Sequence, residues 1–404
     1  MMEPIWITGL GITAAGVVGL PAFEAVLRAG RPAIAPVAGP GPLRRAALLP
    51  AAAFAPAGPM PRGATRAARS ALVVAREAWA QAGLQEPAAV GLVVAGHNLS
   101  LAETAETLLA QQGRMGFAPP RHALQVWDSH VLGVLSEALG CTGPGMLAGG
   151  HFSSGITALA QAAMWLRAGE AEVALCVAPC AALSTLEWQA FVNLGAADPG
   201  GDNGQTGELP PYQPFAPGQA GFVPGEAAAC VVLETAAHAR GRGGRPLARL
   251  GAARLAMAGR AGPEPDAANE ARVIRAALQA AGLAADAVGY INAHATGAAA
   301  GDMAEAEAIR AVFGGGAGAP WVNATKAITG HGLFAAGLVG LVATVLQLRG
   351  GFLHANPGIG ASPAGLRLVG RHSEPHDGSA ALCNAFGFDG LNGCALILNS
   401  TENR

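Results

Sequence analysis

Four short segments of this 404-residue chain carry the residues able to do chemistry. Asn292-Ala-His294-Ala-Thr296-Gly297, with Gly301-Asp302 and Glu305 behind it, sets an imidazole ahead of two carboxyl groups. Asn323-Ala-Thr-Lys326-Ala-Ile-Thr-Gly-His331 offers an amine and a second imidazole. Asn384-Ala-Phe386-Gly-Phe388-Asp389-Gly390-Leu-Asn392 alternates aromatic rings with glycine. The fourth, Gly149-Gly-His-Phe152-Ser153-Ser154-Gly155, opens an apolar-faced helix marked by Ile156, Leu159, Ala160, Ala163 and Met164. A helix N-terminus carries partial positive charge that favours a thiolate, yet Phe152 has no nucleophilic atom. Ser153 and Ser154 fit capping or turn roles, because a serine nucleophile needs an adjacent base. On residue type alone, His294, Lys326 and His331 can also form a buried polar network that satisfies itself together with Glu305.

The elements that must position these segments follow from periodicity. Apolar or β-branched runs at Ile5–Ile7, Val90–Val94, Val173–Val177, Cys230–Leu233, Tyr290–Ala293 and Leu396–Leu398 alternate with alanine-rich helical stretches and glycine turns, which predicts α/β architecture. Arg31 to Met60, rich in Pro and Ala, reads as an irregular excursion. Three units recur in order. Ala75 to Ala95 resembles Ile274 to Ala293, Ser153 to Gly169 resembles Gly330 to Gly351, and Gly221 to Glu234 resembles Gly387 to Leu398. Such repetition argues for two homologous halves dividing near Gly241 to Leu250, taken as units 1–245 and 246–404, with a site where they meet.

Composition narrows the function classes. With 51% hydrophobic residues, 58 glycines and 13% charged residues, the chain should be a compact globule. A net charge of -2 with no basic run gives nothing to recruit nucleic acid. The six cysteines lack metal-site spacing and read as reduced thiols, so neither a metal nor a cofactor is expected. The N-terminus lacks a signal pattern, which gives an expectation of a cytoplasmic protein. Ala327 to Leu348 contains no Asp, Glu, Lys or Arg and is long enough to span a bilayer. Its glycines and His331 suit a helix buried on all sides instead, so no integral membrane segment is expected.

Taken together and in order, the four segments, with Ile7-Thr-Gly-Leu-Gly-Ile12 and the stretch Pro214-Phe215 to Glu234, resemble the β-ketoacyl synthase family across nearly the whole chain. The resemblance implies a thiolase-like α/β fold, two similar halves packed in a layered α-β-α-β-α arrangement. It makes His294, Lys326 and His331 the retained catalytic set, and Phe386, Phe388 and Asp389 the gate and pocket. Anchoring Ser153-Ser154-Gly155 on the family's T-A-C-S-S-G puts Phe152 at the position of the nucleophilic cysteine, so the acyl transfer that begins a condensation is not available. In a working member the two histidines hydrogen-bond the malonyl thioester oxygen and stabilise the enolate formed as carbon dioxide leaves. Asp389 and Leu391 depart from the family pattern, where glycine and threonine are usual.

What this resemblance implies is a non-condensing, chain-length-factor-like subunit. It would form a heterodimer with a cysteine-bearing ketosynthase and act on acyl chains held by an acyl carrier protein, in polyketide, aryl polyene or fatty-acid-like biosynthesis. The alternative is a malonyl-acyl-carrier-protein decarboxylase using the two histidines, against which stands a phenyl ring that offers no hydrogen bond and fills space beside the thioester. Arg121 to His130 falls where the family builds its dimer interface, making Gln125, Trp127, Asp128 and His130 interface or tunnel candidates; an amphipathic core helix is the other reading. Arg62, Arg66 and Arg69, at 3- and 4-residue spacing on an expected helix face, are the candidate docking patch for an acidic carrier, with solvated surface arginines as the alternative.

Overall fold

A computed structural model of the chain describes residues 3–37, 44–85, 89–200, 211–357, 359 and 365–400. Ten strands run through one mixed sheet: β1 (Ile5–Ala14), β2 (Gly91–Ala95), β3 (Gly145–Ala148), β4 (Val173–Ala178), β5 (Ala228–Thr235), β6 (Ala248–Met257), β7 (Tyr290–Asn292), β8 (Trp321–Asn323), β9 (Ala380–Phe386) and β10 (Leu391–Asn399). A two-residue strand, Val17–Val18, folds back on β1. The expected strands all overlap members of this set. The first five lie side by side as β1-β5-β4-β2-β3 and the last five as β6-β10-β9-β7-β8, the same order counted from each leading strand. In both units parallel pairing is confined to the three outermost strands. Antiparallel pairing of Ile5–Ile7 with Ala248–Leu250 joins the units. The division expected at 245/246 falls between the helix Ala236–Gly241 and β6.

Layering follows from which helix faces are apolar. Helices α1 (Arg66–Ala82) and α2 (Ser129–Leu139) cover the outside of the first unit. Between the units lies α3 (Ser154–Ala168), and α4 (Ala267–Ala281) and α5 (Ala299–Phe313) cover the outside of the second. The partner of α3 in the middle layer is α6 (Ala336–Gly350), and each of the two touches strands of both units. This is the layered thiolase-like arrangement. Every residue of α6 from Ala336 to Leu348 is buried, as suits an all-round apolar helix between two sheets. One-sided α1 is capped by the Thr65 side chain and closed by Gly83 in the left-handed conformation.

The crossing of α3 and α6 builds the site. A Cβ on Gly155 would lie 2.6 Å from the Leu338 nitrogen, and one on Gly337 would lie 3.3 Å from the Ile156 nitrogen, so the helices meet backbone to backbone. That contact brings together the turns leading into them, His151–Ser153 and Leu333–Ala335.

Ala327 to Leu348 is not the single helix expected. One turn, Lys326–Thr329, stops at Gly330 (φ 67), and His331 pairs with Pro224 before α6 begins. Backbone from the first unit occupies the break: a Cβ on Gly225 would sit 2.0 Å from the Thr329 oxygen. The stretch Leu333–Gly350 is long and apolar enough to cross a membrane by composition, but 89% of it is buried within the fold. In the Arg31–Met60 excursion, Ala35–Pro36 pairs with Arg45–Ala46 and a single turn spans Ala51–Phe54; residues 38–43 lie outside the described set.

Candidate active site

His294 leaves β7 on a loop held from behind by two carboxyl groups of α5. Glu305 accepts hydrogen bonds from the backbone N–H of His294 (2.8 Å) and Ala295 (2.7 Å) and from Asn384 Nδ2 (2.9 Å). Asp302 accepts from the N–H of Phe215 (2.6 Å), Thr296 (2.8 Å) and Gly297 (3.1 Å). Burial pushes Asp302 up to about 7 against the pull of these N–H groups. Both carboxyl groups therefore act as clamps on the loop.

Lys326 reaches this loop from the turn after β8. Its Nζ donates to the His294 carbonyl oxygen and lies 3.4 Å from His294 Nδ1. Burial lowers the Lys326 amine to about 8, while Glu305 draws it back up, so it still carries charge at neutral pH. Burial first, then the Lys326 charge, holds His294 well below the usual imidazole range. With Nδ1 facing an ammonium, the neutral ring carries its proton on Nε2.

His331 has the same tautomer for a different reason. Its Nδ1 accepts from the Leu333 N–H at 2.9 Å, which leaves the proton on Nε2. That Nε2 is buried without a hydrogen-bond partner among the described residues. An unpaired buried donor costs about 1–3 kcal/mol. Burial, followed by the Lys326 charge, keeps this ring neutral too. Backbone bonds fix its place: His331 N–H donates to the Val223 oxygen at 2.7 Å, and Gly225 N–H donates to the His331 oxygen at 3.0 Å.

The two imidazoles lie 5.7 Å apart, centroid to centroid. Phe152, only 5% exposed, packs on both, 4.4 Å from His331 and 6.4 Å from His294. Phe388, Phe222 and Phe191 surround it at 5.2, 5.9 and 6.3 Å. A cleft of about 290 Å³ opens onto this group, with Phe152, His294, Glu270, Phe386, Phe388 and Asn392 on its wall. His331 is absent from the wall and lies behind the Phe152 ring. All six cysteines are buried and none lines the cleft; burial keeps them as thiols, Cys383 at about 12. Ser153 Oγ and Ser154 Oγ donate to the oxygens of Gly150 and His151, in turn roles.

The structure thus brings together Phe152, His294, Lys326, His331, Phe386 and Phe388. It places other candidates elsewhere. Asp389 turns away from the cleft wall, accepting from Gly262 N–H at 2.8 Å and facing His151 Nε2 at 3.1 Å, so it ties down the loop after Phe388 instead of charging the pocket. Arg62, Arg66 and Arg69 do not share a helix face, because Thr65 caps α1 and Arg62 precedes it. Arg66 is drawn inward to Glu226 at 2.5 Å and over the Phe54 ring, and Arg69 Nε donates to the Ala64 oxygen. Arg121 to His130 is likewise not one helix. Gln125 donates to the Gly63 oxygen, Asp128 accepts from the N–H of Asn98 and Leu99, and His130 Nε2 is buried with no hydrogen-bond partner among the described residues, while Trp127 is 66% exposed. The sequence reading missed Glu270, whose place in the first turn of α4 looks like that of any acid at a helix start.

Known proteins resemble this chain over most of its length. The β-ketoacyl synthase N-terminal domain matches residues 2–239 and the C-terminal domain matches residues 249–359. The polyketide biosynthesis malonyl-ACP decarboxylase PksF of Bacillus subtilis (strain 168) is 32% identical over 407 residues, covering 98% of this chain and 97% of that protein. Among solved structures, the ishigamide ketosynthase/chain length factor superposes with a TM-score of 0.88 at 25% identity over 99% of this chain and 100% of that one. The type II PKS acyl-carrier protein complex AntDE:AntF gives a TM-score of 0.87 at 22% identity over the same shares, a likeness of fold alone. This chain therefore belongs to the β-ketoacyl synthase family.

Proposed function

We propose that this chain removes carbon dioxide from a malonyl group held as a thioester on an acyl carrier protein, without forming a carbon–carbon bond. The observation that carries this reading is the proton on His331 Nε2, buried and without a hydrogen-bond partner among the described residues, beside a second neutral imidazole whose Nδ1 faces Lys326. An acceptor oxygen there supplies the bond the fold leaves missing. Decarboxylation places negative charge on such an oxygen, and preorganised N–H donors in a dry site stabilise it strongly. We read Phe152 as standing where the family's nucleophilic cysteine stands. Acyl transfer then has no nucleophile, whereas decarboxylation needs none.

Phe152 also has a steric consequence: its ring must turn aside before an oxygen reaches His331. In return, Phe152, Phe191, Phe222 and Phe388 give the malonyl carboxylate apolar surroundings, which disfavour its concentrated charge more than the dispersed charge of the transition state. Full-length similarity to PksF supports the same reading. Mass spectrometry of malonyl-carrier protein incubated with the chain tests it. Acetyl-carrier protein is the expected product, and an unchanged malonyl thioester after prolonged incubation sinks the proposal.

A second reading, pairing with a cysteine-bearing ketosynthase, has its own support. Strand β3 ends the sheet with Met146 exposed, and Leu108, Leu109, Phe117, Leu124 and Trp127 are 58–72% exposed. An open sheet edge and apolar surface call for a covering partner. Likeness to the ishigamide ketosynthase/chain length factor supports it as well. Co-expression should then yield a stable 1:1 complex, and a ketosynthase that elutes alone refutes it. Exposed Arg62 and Arg69 remain the cations offered to an acidic carrier.

A further inference from the structure

Glu270 lies in the first turn of α4, where a helix N-terminus ordinarily favours a charged carboxylate. Its surroundings oppose that charge. The residue is 3% exposed, and its Oε2 is buried with no hydrogen-bond partner among the described residues. It lines the cleft together with His294, Thr296 and Phe152. Burial, then the charges of Glu305, Asp266 and Asp302, push its carboxyl up to about 9, so the acid keeps its proton at neutral pH.

Its carboxyl neighbours are engaged in holding backbone. Glu305 and Asp302 clamp the His294 loop, and Asp266 caps α4 by accepting from Asn269 N–H at 3.0 Å while facing Arg260 at 3.8 Å. Among the described residues, Glu270 is the one of these four groups whose carboxyl holds no backbone N–H. A neutral carboxylic acid facing a cleft is a proton donor. Neither imidazole suits that task, since each must keep its N–H bond on the oxyanion, and Lys326 is turned to the His294 carbonyl and is absent from the cleft wall.

We infer that Glu270 is the catalytic acid that protonates the enolate carbon after carbon dioxide has left. This rests on the decarboxylase reading above. The bond between C2 and the malonyl carboxyl carbon breaks, and its electron pair forms the enolate, whose oxygen is held by the N–H groups of His294 and His331. The pair then returns to C2 and takes the Glu270 proton as the O–H bond breaks, restoring the thioester carbonyl. Glu270 is left as carboxylate and regains a proton from water through the open cleft. In sum, malonyl thioester and one proton give acetyl thioester and carbon dioxide.

The test compares steady-state decarboxylation of malonyl-carrier protein by the wild-type chain, Glu270→Gln and Glu270→Asp, with near-ultraviolet circular dichroism as the folding control. Glutamine keeps the shape but has no acidic proton; aspartate keeps the acid one carbon shorter. For Glu270→Gln, kcat should fall about 100-fold or more with KM within about twofold, and Glu270→Asp should retain more activity than Glu270→Gln. A Glu270→Gln kcat within about threefold of wild type, or glutamine outperforming aspartate, overturns the inference and leaves the decarboxylase reading standing. A wild-type chain that produces no acetyl-carrier protein overturns that reading, and the inference with it.

Discussion

Changing Glu270 to Gln removes a titration while keeping the side chain's shape, which makes its effect on stability calculable. In the fold the carboxyl sits at about 9, chiefly through burial and then through Glu305, Asp266 and Asp302; in the unfolded chain it lies near 4.3. Between those values the folded protein holds a proton that the unfolded chain has released, so stability is fully present below about pH 4.3 and declines as pH rises toward 9. At pH 7 the loss amounts to about 4 kcal/mol. Glutamine does not titrate and escapes it. Glu270→Gln should therefore be the more stable protein at pH 7, by about 4 °C in Tm for a chain of this size. The difference should shrink toward zero near pH 4.5 and widen up to pH 9. Calorimetry or urea unfolding of both proteins at pH 5, 7 and 8.5 measures it. Equal stability at all three values, or a gap that does not change with pH, refutes the account of a buried neutral acid.

Other outcomes follow from the same geometry. Phe152→Cys should place one reactive thiol on the cleft wall, detected as a single iodoacetamide adduct by intact mass, while the six buried native thiols stay unmodified; absence of the adduct means position 152 does not face the cleft. His294→Ala and His331→Ala should each lower the rate of acetyl-carrier formation by about 10²–10³, and an undiminished His331→Ala rate removes the central argument for decarboxylation. Because burial holds Lys326 at about 8, its charge and the polarity it imposes on His294 fade above that value. The decarboxylation rate should begin to fall near pH 8, whereas a fall that begins only near pH 9, where Glu270 gives up its proton, means that Lys326 plays no part. Met146→Asp at the open edge of β3 should break a subunit pair into monomers in light scattering, and an intact pair assigns the interface to another face.

Much of this was legible because it depends on residues whose alternatives are physically blocked. Short apolar, β-branched runs such as Val173–Val177 and Cys230–Leu233 can satisfy their backbone and bury both faces only as inner strands, and the alanine-rich stretches between them have helical spacing. The rest depended on distant partners. Arg66 looked like a solvated surface charge because Glu226 is 160 residues away, and the turn of Asp389 toward His151 spans 238 residues. Glu270 was hidden by the ambiguity of an acid in a first helical turn, which local sequence cannot separate into exposed and buried cases. Two misreadings had local signals. Thr65 as a helix cap places Arg62 outside α1, and Gly330-His-Gly332 interrupts an apolar run that composition alone makes continuous.

The backbone bonds between Val223–Gly225 and His331 have a consequence in time. They zip the first unit to the second with no side chain between them, so neither unit can aim His331 by itself. Contacts separated by so many residues tend to form late in folding. During refolding, circular dichroism should recover before activity does, and under mild denaturant the activity should disappear while the helices and strands persist. The second histidine thus works as an assembly sensor, present in every copy of the chain but operative only once both units have closed on each other.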